Sequence, residues 1–210
     1  MKKLFGIFAI AAVSAVMFTS CETEDPIITL VGDAAIAFDL GEEFVDPGVT
    51  VENGKAEDVV VTFSPEYNKN KVDEYTATYT LGTATATRAV WVKSNLLAGT
   101  YGVSDAIAGF GTIEYEVTVA QKAGEYNVIR ITGFNDFNIV VEATINGDVI
   151  TIPTQTPSNW NAGAGELVQG TGTYDGENKN LINFTYTIKW LDGGDLITDT
   201  GVATYTRVVK

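Results

Sequence analysis

The side chains that carry most enzyme chemistry are scarce in this 210-residue chain, which has one cysteine, Cys21, and no histidine. That removes Ser-His-Asp and Cys-His nucleophiles, imidazole acid–base catalysis and His-ligated zinc together. No Gly-x-Gly-x-x-Gly unit between a strand and a helix is present, nor a phosphate loop. Carboxylate-pair chemistry and an oxygen-ligated metal site are what remain open. Glu114 and Glu116 stand two apart on one strand face, roughly 7 Å from each other and so within the inverting-glycosidase range. Their neighbours place them on a solvated face, with no apolar pocket to raise either pKa. Asp33, Asp39, Glu42, Glu43 and Asp46 lack the loop spacing of a calcium site. Asp46 is expected to hydrogen-bond its own turn instead. The expectation is a non-enzyme with no catalytic residue, cofactor or metal.

Two short stretches have the composition of a recognition surface. Phe134-Asn135-Asp136-Phe137 and Asn159-Trp160-Asn161 set aromatic rings among amides and a carboxylate in loops. Sugar rings stack on flat aromatic faces while Asn and Asp bond hydroxyls, and loops are where binding residues concentrate. The competing use of Phe134, Phe137 and Trp160 is burial, which their large apolar area favours. For Tyr101, Tyr115, Tyr126, Tyr186 and Trp190 a core or barrel-lining role is expected.

The position of Cys21 gives it a different chemistry. Lys2-Lys3 precede an apolar run from Leu4 to Phe18, closed by Thr19-Ser20-Cys21. This is the pattern of a secretory leader, and the run is short for a bilayer-spanning helix. Thr19-Ser20-Cys21 resembles the end of a bacterial lipobox, although Phe18 stands where leucine is usual. The resemblance implies that residues 1–20 are removed and that Cys21 carries the lipid. Glu22, Glu24 and Asp25 resemble the acidic export tag of surface lipoproteins in Bacteroidota. The implied address is the outer membrane, lipid-anchored and facing outward; two or more acyl chains anchor stably where one does not.

Charge narrows the partners. The chain carries 13 basic and 27 acidic residues, a net charge of −14. Without Lys2 and Lys3 the balance is 11 to 27, or −16. Such a surface repels nucleic acid, which is excluded as a partner. The 45% apolar and 10% aromatic content is enough for packed cores.

Beyond an acidic tether at residues 21–26, the chain reads as two all-β domains. Over residues 27–94, short β-branched runs alternate with turn residues, as in a β-sandwich. Asp46-Pro47-Gly48 marks one turn and Asn53-Gly54 a hairpin. Gly41-x-x-Phe44-x-Asp46-Pro47-Gly48-Val49, Glu74-Tyr75-x-x-x-Tyr79 and Arg88-x-Val90-x-Val92 together resemble the bacterial surface Ig-like domain. That module also occurs as repeats in a pesticidal crystal protein, and the resemblance implies a spacer or adhesion unit.

Over residues 95–210 eight strands are expected: 99–104, 112–120, 125–132, 137–145, 149–153, 167–174, 180–190 and 197–209. Gly-containing turns separate them, and Ile182, Phe184, Tyr186, Ile188 and Trp190 repeat every second residue. An antiparallel meander of this length closes most simply into an up-and-down barrel. Gly99-Thr100-Tyr101 and Thr204-Tyr205-Thr206-Arg207 resemble the ends of lipocalin-like barrels. The expected function is a non-enzymatic surface lipoprotein whose Ig-like spacer presents a barrel that binds a glycan or a surface protein. The alternatives are a carrier enclosing an apolar small molecule and a structural subunit of a surface assembly. A barrel filled by its own side chains would remove the carrier.

Overall fold

The computed structural model describes residues 24–157 and 165–209. Cys21 and Glu22 lie outside the described residues, as do Asn159, Trp160 and Asn161. The described residues are all-β, with 3-10 turns at Ala56–Asp58, Asn95–Leu97 and Phe134–Asp136. No helix among them is long and apolar enough to cross a membrane.

The first domain is built from β1 (Ile27–Leu30), β2 (Ala35–Asp39), β3 (Val49–Glu52), β4 (Val60–Ser64), β5 (Glu74–Leu81) and β6 (Ala84–Lys93). One sheet has the order β2-β6-β5-β4, with β2 parallel to β6, and the other pairs β1 with β3. Alternation decides the faces. Tyr75, Ala77 and Tyr79 of β5 and Arg88, Val90 and Val92 of β6 are buried, while Thr76, Thr85 and Thr87 face water. Phe44 meets Phe38 and Phe63 edge-on with ring centres 5.6 and 5.2 Å apart, extending this core.

The Asp-Pro-Gly and Arg motifs form one buried unit. Asp46 Oδ1 accepts the Gly48 N–H at 2.8 Å and the Tyr79 hydroxyl at 2.7 Å. Arg88 is fully buried, donates to the Val31 and Gly48 carbonyls at 2.8 and 3.2 Å, and lies 3.9 Å from Asp46 Oδ1. Its guanidinium also sits 5.7 Å from the Tyr79 ring centre. Gly48 takes φ +83°, which turns its carbonyl toward the arginine without a Cβ penalty. The expected Asx bond of Asp46 is therefore present, and it does more than close a turn. The hairpin expected at Asn53-Gly54 is not formed: β3 pairs with β1, β4 pairs with β5, and the chain crosses between sheets there. Asn53 still adopts φ +56°, but in a connection of the kind a sandwich needs.

The second domain is a closed antiparallel barrel of β7 (Gly99–Ile107), β8 (Gly111–Gln121), β9 (Val128–Thr132), β10 (Val140–Asn146), β11 (Val149–Gln155), β12 (Leu167–Tyr174), β13 (Leu181–Asp192) and β14 (Asp195–Arg207). Each strand pairs with the next, and β14 closes on β7 through Gly201↔Ile107 to Arg207↔Tyr101. Eight strands leave an interior that side chains can just fill. Tyr101, Phe184, Tyr186 and Tyr205 are buried in it. Two glycines make room for rings that cross the axis: a Cβ at Gly172 would strike Phe184, and one at Gly201 would strike the Tyr186 phenol. Below its mouth the barrel is filled by its own side chains, which leaves no room for a ligand enclosed at that level.

Several boundaries differ from expectation: β9 and β10 each begin three residues later, at Val128 and Val140, which leaves Tyr126 and Phe137 outside the strands. β7 runs three residues further, to Ile107, which makes Asp105 an inward-facing residue of the wall. Tyr126 is not barrel lining: it is 40% exposed in the β8–β9 turn and lies 5.7 Å from Trp91 of the first domain.

That contact belongs to a joint between the domains. Ser94 donates to the Tyr126 carbonyl through both N–H and Oγ at 2.8 Å. The Tyr174 hydroxyl accepts the buried Val72 N–H at 2.7 Å and donates to the Gly147 carbonyl at 2.7 Å. Gly147 in turn donates to the Val72 carbonyl at 2.9 Å. The base of the barrel is thus hydrogen-bonded backbone to backbone onto the first domain.

Candidate functional site at the barrel mouth

The end of the barrel away from this joint carries the β7–β8 and β13–β14 hairpins, the β9–β10 connection and the β11–β12 loop. Between them lies a cavity of about 470 Å³, lined by Ile107, Phe110, Ile113, Asn135, Asp136, Phe137, Trp190, Ile197 and Asp199. A volume of this size is in the range of small-molecule sites. Other depressions, of about 310 to 500 Å³ and one of them bounded by Glu114 and Glu116, lie more open along the outer faces of the strands.

Strand period places Ile107, Ile113, Trp190, Ile197 and Asp199, while Phe110, Asn135, Asp136 and Phe137 come from the connections. Trp190 ends the inward row of β13, three residues before the Gly193-Gly194 tip that the Asp192↔Asp195 pair closes. Its indole Nε1–H donates to Asp199 Oδ2 at 2.7 Å across the hairpin. Phe137 meets it with ring centres 5.7 Å apart at 54°. Phe110, at the tip of the β7–β8 hairpin, is 76% exposed. Glu166 accepts the Leu191 N–H at 2.9 Å and ties the β11–β12 loop to the same hairpin.

The β9–β10 connection is held in a conformation unusual for its residues. Asn135 and Asp136 both take the left-handed region, at φ 53° and 57°. Such residues cost on the order of 1–3 kcal/mol each unless their surroundings fix them. Phe134 supplies part of the fixing by packing edge-on against Tyr186, ring centres 5.1 Å apart, with no exposure. The Asn135 side-chain amide supplies the rest, donating to the Tyr186 hydroxyl at 2.6 Å.

Beneath this rim is a buried polar layer. Tyr186 and Tyr115 donate to Asp105 Oδ2 at 2.7 and 2.8 Å. Asp105 Oδ1 and the Tyr205 hydroxyl have no protein partner, although both are buried. Burial, reinforced by the adjacent Asp105 charge, pushes the phenols of Tyr115, Tyr186 and Tyr205 well above the usual tyrosine range.

The four residues 134–137 thus divide by role. Phe134 is core, Asn135 bridges core and rim, and Asp136 and Phe137 line the cavity. Trp190 and Asp199 were not expected at a site. The signal that could have found them is a carboxylate at an inward position of an apolar alternation, which occurs at Asp199 of β14 and again at Asp105 of β7. Of the acidic tag, Glu24 and Asp25 are exposed.

Residues 28–92 match the family model for the bacterial surface protein Ig-like domain. That segment, about a third of the chain, is similar to a surface module, and the match points to the cell surface. It ends with β6, so the barrel is outside it. No curated protein matches the chain.

Proposed function

We propose that this is a non-enzymatic surface lipoprotein, anchored through lipid on Cys21 in the outer membrane, whose Ig-like spacer holds a barrel that captures the end of a glycan. The observation that carries the reading is the aromatic-walled cavity at the end of the barrel opposite the domain joint. A tether entering at residue 24 reaches the Ig-like domain first, and the mouth is the most distant rim. Trp190 and Phe137 offer stacking faces, while Asp136, Asp199 and Asn135 offer hydroxyl partners. The depth suits one terminal sugar, not a long chain threaded through the barrel, because the aromatic layer below closes the interior.

The test is retention on a glycan array by the mature protein and by Trp190→Ala. Loss of retention with the domain melts preserved supports the reading, and retention unchanged by Trp190→Ala overturns it. For the anchor, incorporation of labelled palmitate that disappears in Cys21→Ser is the expected result.

A further inference from the structure

The cations of the barrel stand apart from the residues that line its mouth. Lys122, Lys179 and Arg207 lie in or beside the turns at the base, Arg130 lies within β9, and Lys189, though near the mouth, belongs to the row of β13 that alternates with the lining residue Trp190. Among the described residues, the cavity wall at the mouth includes Asp136 and Asp199 and no lysine or arginine. Asp105 lies one layer beneath, register partner of the lining residue Ile113 and two positions from Ile107. With Oδ2 shared by two phenols and Oδ1 without a protein partner, its charge has no cation beside it. Charges held in a low-dielectric wall act over longer distances than charges in water. An anionic ligand would meet this field unopposed, and a neutral sugar would make no use of it.

The remaining wall suits a cation as well. Trp190 and Phe137 present aromatic faces, and Phe110 stands exposed at the rim. Aromatic faces attract cations through the ring quadrupole, most strongly for indole. Asp199 is held by Trp190 through Oδ2, which fixes the carboxylate in the wall and leaves Oδ1 for a ligand donor. We infer that the mouth selects ligands bearing a protonated amine on a compact ring, such as a terminal amino sugar lacking its acetyl group. The inference rests on the glycan reading for the identity of the ring, but not for the charge.

The experiment is calorimetric or NMR titration of the mature two-domain protein with glucosamine, N-acetylglucosamine, glucose, glucuronic acid and cyclohexylamine. Glucosamine is expected to bind at least on the order of tenfold more tightly than glucose, the gain of one charge-assisted hydrogen bond. Asp199→Asn keeps an acceptor for the Trp190 indole and should remove most of that preference while leaving the melting temperature in place. Addition of salt should narrow the gap. Equal binding of glucosamine, glucose and N-acetylglucosamine would overturn the charge inference and leave the glycan reading standing. Binding of cyclohexylamine with no sugar bound would keep the charge inference and overturn the glycan reading. Binding of glucuronic acid alone, or of none of the five, would overturn the inference.

Discussion

Replacing Tyr174 by phenylalanine removes one oxygen from the joint between the two domains and tests whether they behave as one body. That oxygen is the acceptor for the Val72 N–H at 2.7 Å, and Val72 has no exposure. It is also the donor to the Gly147 carbonyl, with the Asn70 carbonyl at 3.4 Å as a second neighbour. The ring itself would stay, so the apolar burial is nearly conserved. What changes is that a buried N–H loses its partner, which costs about 1–3 kcal/mol. Water cannot readily repair the loss, because a Cβ at Gly176 would already strike the Asn70 backbone and the contact is tight there. For a protein of this length each kcal/mol shifts Tm by roughly 2–4 °C, so a fall of about 2–12 °C is expected.

Two assays separate the outcomes. Thermal melts followed by tryptophan fluorescence should show the fall, and hydrogen exchange should show faster exchange at Val72 and Gly147 than in the parent. If the domains were independent beads, Tyr174→Phe would leave both Tm and Val72 exchange unchanged, and the joint would be incidental. Tyr174→Ala also removes the ring that fills the barrel base and should cost more, about 3–5 kcal/mol.

Other perturbations reach the two cores separately. Arg88→Ala strips the donors from the Val31 and Gly48 carbonyls and leaves the 3.9 Å Asp46 contact empty; a loss of about 3–5 kcal/mol in the Ig-like domain is expected, read by chemical denaturation. Gly201→Ala would drive the Tyr186 phenol off Asp105 and release Asn135; about 2–4 kcal/mol of barrel stability should go, with NMR shift changes spreading to residues 134–137. Alkaline pH should act on the buried phenols. Tyr75 and Tyr79 are pushed up to about 12 by burial, and Tyr115, Tyr174, Tyr186 and Tyr205 are raised as well. A folded-state pKa above the unfolded value near 10 means full stability below about pH 10 and a decline above it, roughly 1.4 kcal/mol per pH unit for each tyrosine still protonated only in the fold. Melts from neutral to alkaline pH should therefore be flat and then fall, with a shallower fall in Tyr205→Phe.

Most of the fold was legible because two-residue periodicity and glycine turns act locally. The eight barrel strands and their order follow from alternation such as Ile182-Phe184-Tyr186-Ile188, and β14 closes on β7 because an unpaired edge would be left otherwise. What misled was local chemistry with a second solution. Asn53-Gly54 has a hairpin's composition, yet the sandwich sends the two flanking strands to different sheets. Asp105 looks like the start of a loop, and only closure of the barrel makes it an interior residue bonded by Tyr115 and Tyr186. The mouth was half legible for the same reason. Asn135, Asp136 and Phe137 are contiguous and announce a loop, whereas Trp190 and Asp199 meet across a hairpin register that composition does not show.

The two ends of the barrel obey different rules, and the difference locates function. At the base the phenols are paired, Tyr174 with Val72 and Gly147, and Tyr101 with the Leu97 carbonyl at 2.8 Å and with Arg207 at 2.9 Å, while Asn95 Oδ1 and Arg207 Nε are buried without a hydrogen-bond partner. At the mouth the chain accepts two left-handed non-glycine residues, inward carboxylates at Asp105 and Asp199, and a phenylalanine 76% exposed at residue 110. The left-handed backbone and the exposed ring do not help a barrel stand, whereas Asp105 accepts two buried hydroxyls and leaves one of its own oxygens without a partner. Leucine at 105 would remove an orphaned carboxylate oxygen but strand the Tyr115 and Tyr186 hydroxyls, and glycine at 136 would relieve backbone strain. Two left-handed residues, an orphaned inward carboxylate oxygen and an exposed ring coincide at this rim, and places where local rules are broken together are expected to be sites of action. Asp105→Asn should then hold or raise Tm while weakening amine binding at the mouth; a loss of stability without any change in binding would show that the buried carboxylate serves the fold alone.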